Sequence, residues 1–363
     1  MDLAEKAGRY LPAWISHISS KLDARTGRAS VLRRAVWVSV GIGWAWAAPM
    51  SAFADGYGPF PVRNFQPLHQ LVLGLPGDRA TVLKPGALDL RIELANTANV
   101  FEDSTARTAV AMKFESLRSG VFLRYGLTDR VELAAELPVL VRYRGIMDGM
   151  IEAVERATTG LAPDRKALRN AGYVFNMSSG GRTVMSGKEG VAGLGDASLM
   201  GKYQVLSETA SLPALSLRAA VKLPTGDAGE FLGSGSPDYG LGLAVEKHVA
   251  PDWVVYGNLN GVLPTGRIAG FALQPVVSAV VAVEYLWSNN FSLVAHFDYY
   301  SSPFRSTDTS VLDKGVTEVV LGFNYQLKSG LLWQVYGVEN VDFIVGSAAD
   351  FTLSTTITYR FGS

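Results

Sequence analysis

Apolar and polar residues alternate along the chain from about residue 87 to its end. The last segment, FTLSTTITYRF (351–361), shows the pattern most clearly, because Phe351 and every second residue after it are mostly apolar or aromatic. The residues between them are threonine, serine and arginine. Side chains of a β-strand alternate between its two faces. Each such segment is therefore predicted to be a strand with one apolar face and one polar face.

Twelve segments of this kind follow one another, and their connections alternate in length. The turns after even-numbered segments are mostly short, whereas the loops after odd-numbered segments are longer. An even number of strands joined in this way is typical of a bacterial outer-membrane barrel. The second segment changes phase near Glu115, which predicts a β-bulge there. The predicted strands are 87–99, 106–127, 130–144, 195–206, 214–224, 237–249, 253–263, 271–286, 291–302, 315–328, 330–340 and 350–361.

A secreted β-sandwich would also show alternation, but its strands usually have about 5–6 residues. Most of these segments are longer, and a tilted strand needs about 9–11 residues to cross a membrane. Aromatic residues of the apolar face also lie at two levels, near the short turns and near the long loops, as the two membrane interfaces favour. We therefore predict an all-β fold, a transmembrane antiparallel up-and-down barrel of about 12 strands at 87–363, in the outer membrane of a Gram-negative bacterium, where it contacts lipid bilayer and lipopolysaccharide.

The first 54 residues carry the features of a secretory signal peptide. Four arginines between residues 25 and 34 precede an apolar run at 35–48, which is too short to span a bilayer as a helix. Small residues at Ala52 and Ala54 then fit a cleavage site. The segment is unusually long, so the true translation start is either Met1 or a position downstream.

Residues 55–86 are predicted to form an extended strap. Proline fixes the backbone and removes a hydrogen-bond donor, so Pro59 and Pro61 exclude a helix. We expect the strap to enter the barrel from the periplasmic end as a plug, with Arg63 bound to a carboxylate of the lumen and Asn64 beside it. The alternative, a disordered periplasmic leader, is disfavoured by the many apolar residues of this segment.

The loop that follows the third predicted strand, 145–194, contains apolar residues at helical spacing. They predict a short amphipathic helix over 146–157. The sequence leaves two placements open: the helix either folds into the mouth of the barrel or rests on its outer rim.

The polar faces of the strands are predicted to line a lumen and to set its selectivity. The chain of 363 residues has 33 basic and 33 acidic residues and no cysteine, so disulfides are excluded. Balanced charge favours a neutral or weakly charged solute, or salt bridges that narrow the pore. The predicted lumen residues are Arg91, Glu93, Arg118, Arg124, Glu132, Glu136, Arg142, Lys202, Arg218, Lys222, Glu246, Glu284, His296, Asp298, Glu318 and Arg360.

His296 and Asp298 share a predicted strand face with Ser292, and such neighbours could form the base and orienting acid of an enzyme. That face points into the lumen, away from lipid substrates, and neither G-x-S-x-G nor H-E-x-x-H occurs. We therefore predict no enzyme, no cofactor and no metal, and a net charge of zero argues against nucleic acid as a partner. The remaining alternatives are an adhesin, receptor or structural protein acting through loops 145–194 and 303–314, and, less favoured, a lipid hydrolase.

Several motifs support a family resemblance. GPFPVRN (58–64), GLGD (193–196) and KLPTGD (222–227) with GSG (233–235) resemble a bacterial outer-membrane barrel family of unknown function. The last two are also similar to outer-membrane proteins linked with the meta-pathway of phenol degradation, which implies passage of small aromatic or apolar compounds. Tyr359 and Phe361 resemble the C-terminal signal for the barrel-assembly machinery. We predict a porin-like channel for passive uptake of a small, weakly charged or apolar solute.

Overall fold

The computed structural model describes residues 56–158, 160–328, 330–341 and 349–362. The predicted signal peptide at 1–54 lies outside the described residues. The strands are β1 Leu88–Ser104, β2 Thr108–Gly126, β3 Val131–Tyr143, β4 Val174–Ser179, β5 Arg182–Ser186, β6 Ala192–Leu194, β7 Ala197–Leu206, β8 Ala214–Leu223, β9 Asp238–Ala250, β10 Trp253–Pro264, β11 Arg267–Ile268, β12 Phe271–Ala272, β13 Val276–Ser288, β14 Phe291–Tyr300, β15 Val316–Lys328, β16 Leu331–Asn340 and β17 Phe351–Phe361.

Twelve of these strands form a closed antiparallel barrel. They are β1, β2, β3, β7, β8, β9, β10, β13, β14, β15, β16 and β17, each paired with the next. The last strand pairs back onto the first, with Phe361 opposite Leu88, and this closes the barrel. The predicted fold class is confirmed, and the predicted strand limits differ from the observed ones by only a few residues at most ends. The larger difference is at β13, which begins at Val276 because 271–272 belongs to a separate small hairpin.

The β-bulge predicted near Glu115 is wrong. Strands β1 and β2 pair without a register shift from Leu88 and Tyr125 to Ser104 and Ala109. The phase changes because the inward face becomes apolar toward the extracellular end of β2. There Val110, Met112 and Phe114 are buried and face the interior.

The long loop after β3 contains more structure than the sequence predicted. Its helices are α1 Asp148–Ala157 and α2 Pro163–Ala167, and a third helix, α3 Ser310–Asp313, lies in a later loop. Strands β4 and β5 form a hairpin that extends the wall beyond β3, because β4 pairs with the upper part of β2. Its turn residues Gly180 and Gly181 both have positive φ, 57° and 76°, which glycine adopts without strain.

The outer surface of the barrel is apolar. Large hydrophobic side chains such as Leu133, Leu259 and Leu321 are exposed at the middle of the strands. Aromatic rings surround the short-turn end, where Trp253 lies 4.8 Å from Tyr285 between ring centroids. Among the described residues, no helix has the length and hydrophobicity needed to cross a bilayer. The exposed apolar band with its aromatic border places the barrel in a Gram-negative outer membrane.

Candidate functional site

The strap, defined here as residues 56–87, runs through the interior of the barrel as two extended limbs. The hydroxyl of Tyr57 donates to the carbonyl of Asn289, in a short periplasmic turn, at 2.5 Å. The first limb ascends to a 3₁₀ turn at His69–Leu71, and the second limb descends to β1. The amide of Gly77 donates to the carbonyl of Val62 at 3.2 Å and joins the two limbs.

Carboxylates of the barrel wall accept hydrogen bonds from the strap backbone. An extended segment outside a sheet has free amide groups, and burial without acceptors would be costly. The acceptors are Glu284 for Tyr57 and Gly58 (both 3.2 Å), Asp238 for Leu73 (2.9 Å), Glu246 for Ala80 (3.1 Å) and Glu132 for Leu83 (2.9 Å).

Cationic and amide side chains of the wall donate to the strap carbonyls in the same way. The donors are Arg218 to Pro76 (2.8 Å), Lys202 to Arg79 (3.3 Å), Asn260 to Leu75 (3.4 Å) and Lys222 to Leu71. Both signs of charge inside the barrel therefore hold the strap, because acidic side chains accept from its amides and basic side chains donate to its carbonyls.

The arginine of the strap reaches a wall carboxylate. The Nη1 atom of Arg63 lies 3.0 Å from Oε1 of Glu136. Arg118 contacts the same carboxylate and lies 3.2 Å from Glu93, so the guanidinium groups of Arg63 and Arg118 share Glu136. Asn64 is buried beside them, and its side-chain nitrogen lies 3.1 Å from Nδ1 of a strap histidine, His69.

The prolines of the strap surround an aromatic anchor. Between Pro59 and Pro61, the amide of Phe60 donates to Nε2 of His296 at 3.0 Å. The Phe60 ring stacks on Tyr336 with centroids 4.7 Å apart. Because proline has no amide hydrogen, Pro59 and Pro61 need no hydrogen-bond acceptor in the lumen.

The remaining predicted lumen residues also face inward, with different partners. Arg91 stacks on Phe122 at 4.0 Å, and Arg124 pairs with Glu132 at 3.0 Å. Arg142 lies higher, over the ring of Phe175 at 4.9 Å. Asp298 and Glu318 are buried opposite each other on β14 and β15. Arg360 is half-exposed at the periplasmic end, paired with Asp89 at 2.8 Å.

The extracellular half of the lumen is filled by apolar side chains. They come from the strap, from β2, from the β4–β5 hairpin and from the later extracellular loops. The sequence pattern of loop 145–194 predicts only a helix, so this cluster was not among the predicted features. The Ser-Ser-Gly-Gly turn at 178–181, between two short alternating segments, is the signal that would have found the hairpin. The members are Leu68, Leu71, Val72, Leu73, Leu75, Phe101, Val110, Met112, Phe114, Phe175, Met177, Met185, Ala220, Val262, Ile268, Phe304, Val311 and Leu312.

Two of the motifs that carried the family resemblance, GLGD (193–196) and KLPTGD (222–227) with GSG (233–235), meet at Lys222. Its ammonium group lies 2.9 Å from Asp196 and 2.8 Å from Asp238. It also lies 2.6 Å from the hydroxyl of Ser234. Asp196 in turn accepts from the amides of Gly226 (2.9 Å) and Ser234 (3.0 Å). These motifs therefore tie the glycine-rich loop 225–236 to the barrel wall and, through Lys222, to the strap.

Helix α1 lies on the outer side of the wall, not in the mouth. Met147 and Ile151 pack against Ala98 and Phe351, which point outward from β1 and β17. Glu115, also on the outward face, accepts from the amide of Met147 at 2.5 Å. Of the two placements that the sequence left open, the rim is the observed one, and the hairpin of the same loop occupies the mouth.

One arginine gathers three carboxylates beside α1. Arg165 lies 2.8 Å from Asp148 and 3.1 Å from Glu155, and it also contacts Asp350. Burial raises the pKa of Asp350 to about 7, although Arg165 acts in the opposite direction. The same carboxylates raise the pKa of Arg165 against the effect of burial. This extracellular cluster is therefore expected to exchange a proton near neutral pH.

The candidate catalytic residues do not form a nucleophile–base pair. Ser292 donates to Glu284 at 2.5 Å, and Nε2 of His296 is occupied by Phe60. Nδ1 of His296 lies 3.6 Å from Asp298, beyond hydrogen-bond distance. In the part of the chain that the structure describes, no group of three or more histidine, cysteine, aspartate or glutamate residues is placed so that it could hold a metal ion.

A family model described as "Protein of unknown function (DUF3187)" matches residues 36–361. The chain belongs to this family. No curated protein matches it. The family assignment agrees with the resemblance seen in the sequence motifs.

Solved structures with a similar fold are outer-membrane barrels. The COG4313 outer membrane channel from Pseudomonas putida F1 is 16% identical, covers 79% of this chain and 99% of its own, and has a TM-score of 0.52. The NanC porin is 8% identical, with 76% and 100% covered and a TM-score of 0.41. The Pseudomonas putida toluene transporter TodX is 11% identical, with 83% and 98% covered and a TM-score of 0.36. Of these three structures, only the COG4313 channel has a TM-score above 0.5, and its similarity supports the barrel fold alone.

Proposed function

We propose that this family member is an outer-membrane channel for passive uptake of a small, weakly charged or apolar solute, with aromatic compounds as the first class to test. The strap is the plug of the channel, with Pro59, Pro61, Arg63 and Asn64 in its ascending limb. The lumen residues that bind the strap would line the path and set its selectivity when the strap moves.

The observation that carries this proposal is the way the strap is held. None of residues 56–87 joins the sheet, and the strap is bound by side chains of the wall. The strap can therefore leave the lumen without breaking a strand pair. The wall charges also keep partners of their own, such as Arg118 with Glu93 and Lys222 with Asp196.

The apolar cluster of the extracellular half favours an apolar or aromatic solute. Met112, Met177 and Met185 contribute to it, and methionine side chains adapt to irregular ligands. A cavity of about 60 Å³ borders this cluster and is lined in part by its members Leu73, Leu75 and Val262. Benzene occupies an engineered protein cavity of about 150 Å³. A solute of that size therefore needs the strap to shift before it can pass.

Single-channel conductance in a planar bilayer tests the proposal. The protein purified from outer membranes is compared with a variant that lacks residues 55–85. We expect a low conductance with the strap in place and a steady, weakly ion-selective conductance after its deletion. A deleted variant that is folded, as judged by heat-modifiable gel mobility, and still silent would overturn the channel proposal.

We also propose that the C-terminal strand contacts the barrel-assembly machinery. Tyr359 and Phe361 are exposed on the outward face, with ring centroids 4.6 Å apart. Replacing Phe361 by Ala should slow assembly in vivo while leaving the refolded barrel intact. Equal assembly rates would count against this contact, and binding of lipopolysaccharide to the same outer surface can be measured separately with purified lipopolysaccharide.

A further inference from the structure

A small cavity lies inside the lumen, between the turn of the strap and the wall formed by β3, β8 and β10. Its volume is about 60 Å³. Arg63, His69 and Glu136 line one part of it, and Leu75, Leu140 and Val262 line another. The cavity therefore joins a polar region to an apolar region.

The guanidinium group of Arg63 is only partly used by the protein. Nη1 donates to Glu136 at 3.1 Å. Within the described residues, Nε and Nη2 have no hydrogen-bond acceptor, although the side chain is only 9% exposed. The N–H groups of these two nitrogens form one edge of the guanidinium plane, and this edge matches the two oxygens of a carboxylate. Buried donors of this kind are normally paired.

A second unused donor lines the same cavity. The side-chain nitrogen of Asn64 donates to Nδ1 of His69 at 3.1 Å, which places the proton of the neutral ring on Nε2. His69 is buried, and its Nε2 has no acceptor in the described part of the chain. Two strap residues therefore present three donor nitrogens to one cavity.

The charge around this edge favours an anion. The guanidinium groups of Arg63, Arg91 and Arg118 surround the ring of Phe122, with Cζ 5.4, 4.0 and 6.0 Å from its centroid. The carboxylates that Arg63 and Arg118 contact are Glu93 and Glu136. Around this ring, three guanidinium groups therefore share two carboxylates.

We propose that this cavity is a binding subsite for the carboxylate of a small organic monoanion with an apolar body. The carboxylate is bound side-on by Nε and Nη2 of Arg63 and accepts a further hydrogen bond from Nε2 of His69. The apolar body lies toward Leu75 and Val262. This assignment names the class of solute that the proposed channel would carry. It rests on the proposed channel function only in that the channel is the route by which the solute reaches the cavity.

Isothermal titration of the detergent-solubilised full chain, purified from outer membranes, tests the site without transport. Acetate is the probe, because the cavity of about 60 Å³ is smaller than the cavity of about 150 Å³ that holds benzene, and acetamide is its uncharged isostere. We expect acetate to bind about tenfold or more tightly than acetamide. Arg63→Gln should weaken acetate binding by a similar factor, and Arg63→Lys should restore only part of it, because lysine keeps the charge but not the paired donors of the guanidinium edge.

Arg156→Gln is the control, because this arginine lies on α1 at the outer rim, where its Nη2 donates to Glu152 at 2.9 Å. Acetate affinity should stay within about twofold in this variant, since the two sites are separate. Heat-modifiable gel mobility verifies that each variant is folded.

Equal binding of acetate and acetamide, or unchanged acetate affinity in folded Arg63→Gln, would overturn the subsite. Inorganic phosphate or chloride binding as tightly as acetate would overturn the assignment to a carboxylate. The two proposals fail independently: a strap-deleted barrel without conductance refutes the channel, whereas the titration of the intact chain reports on the subsite alone.

Discussion

Glu246 of the barrel wall accepts a hydrogen bond from the backbone amide of Ala80 at 3.1 Å, inside the lumen. The same carboxylate accepts from Nε of Arg79 at 3.1 and 3.2 Å. One wall residue therefore binds both the backbone and a side chain of the strap. Other wall acids, Glu132, Asp238 and Glu284, likewise accept from backbone amides of the strap. These bonds explain how an irregular segment is buried in a lumen lined with charges.

Replacing Glu246 by Gln should loosen the descending limb of the strap. The variant leaves Arg79 without its counter-charge, and breaking a buried ion pair typically costs about 3–5 kcal/mol. We expect a lower free energy of unfolding in urea and more frequent opening events in bilayer recordings. Glu208→Gln is the control, since its pair with Lys247 lies at a periplasmic turn and is partly exposed. Identical recordings for the two variants would contradict the anchoring role of Glu246.

A disulfide should lock the strap in place. Ala80 belongs to a buried cluster with Ala214 and Ala244 of the wall, so their β-carbons lie close together. The chain has no cysteine, and the double variant Ala80→Cys, Ala244→Cys would hold a single designed bridge. Solute uptake by cells or liposomes should fall in the oxidised protein and return after reduction. The double variant Ala80→Cys, Ala214→Cys is an alternative pair of positions for the bridge. Full solute uptake by a protein in which the disulfide is verified to be formed would show that solutes bypass the strap.

Detaching helix α1 should leave the lumen unchanged. Ile151 is buried against the outward face of the barrel, so Ile151→Asp places a charge in that contact. We expect faster hydrogen exchange in α1 and no change in the conductance of the strap-deleted barrel. Met177→Asp, in the apolar cluster of the mouth, is the comparison and should alter that conductance. A conductance change with Ile151→Asp would place α1 in the solute path.

The extracellular cluster of Arg165 should become more stable as the pH falls. The pKa of Asp350, about 7, lies above that of an unfolded aspartate, about 3.9. The folded state therefore binds this proton more tightly, and the contribution to stability is lost as the pH rises through 7. The groups that face it are Asp148 and Glu155, with Lys113 beyond at 3.7 Å from Asp148.

Hydrogen exchange of α1 and α2, corrected for the intrinsic rate, measures this effect at pH 5.5 and pH 8. Protection should be greater at the lower pH. Asp350→Asn should remove most of the difference because its side chain does not titrate. Equal protection of the natural chain at both pH values would show that Asp350 stays ionised.

The alternation of residues determined the barrel itself. Every strand must present an apolar face to lipid, so every second residue of each strand is apolar, and this pattern is visible in the sequence. The prolines around Phe60 likewise determined an extended strap, because proline fixes the backbone locally. Helical spacing determined α1, though not which side of the wall it lies on.

Tertiary structure decided what the lumen charges bind. Glu284 and Gly58 are bonded across 226 residues of sequence, and no local pattern links them. The polar face shows which residues point inward, but the acceptor of each depends on the path of the strap. The same holds for the phase change in β2. An apolar residue, Met112, is buried on the inward face because the β4–β5 hairpin, more than sixty residues later in the chain, packs against it.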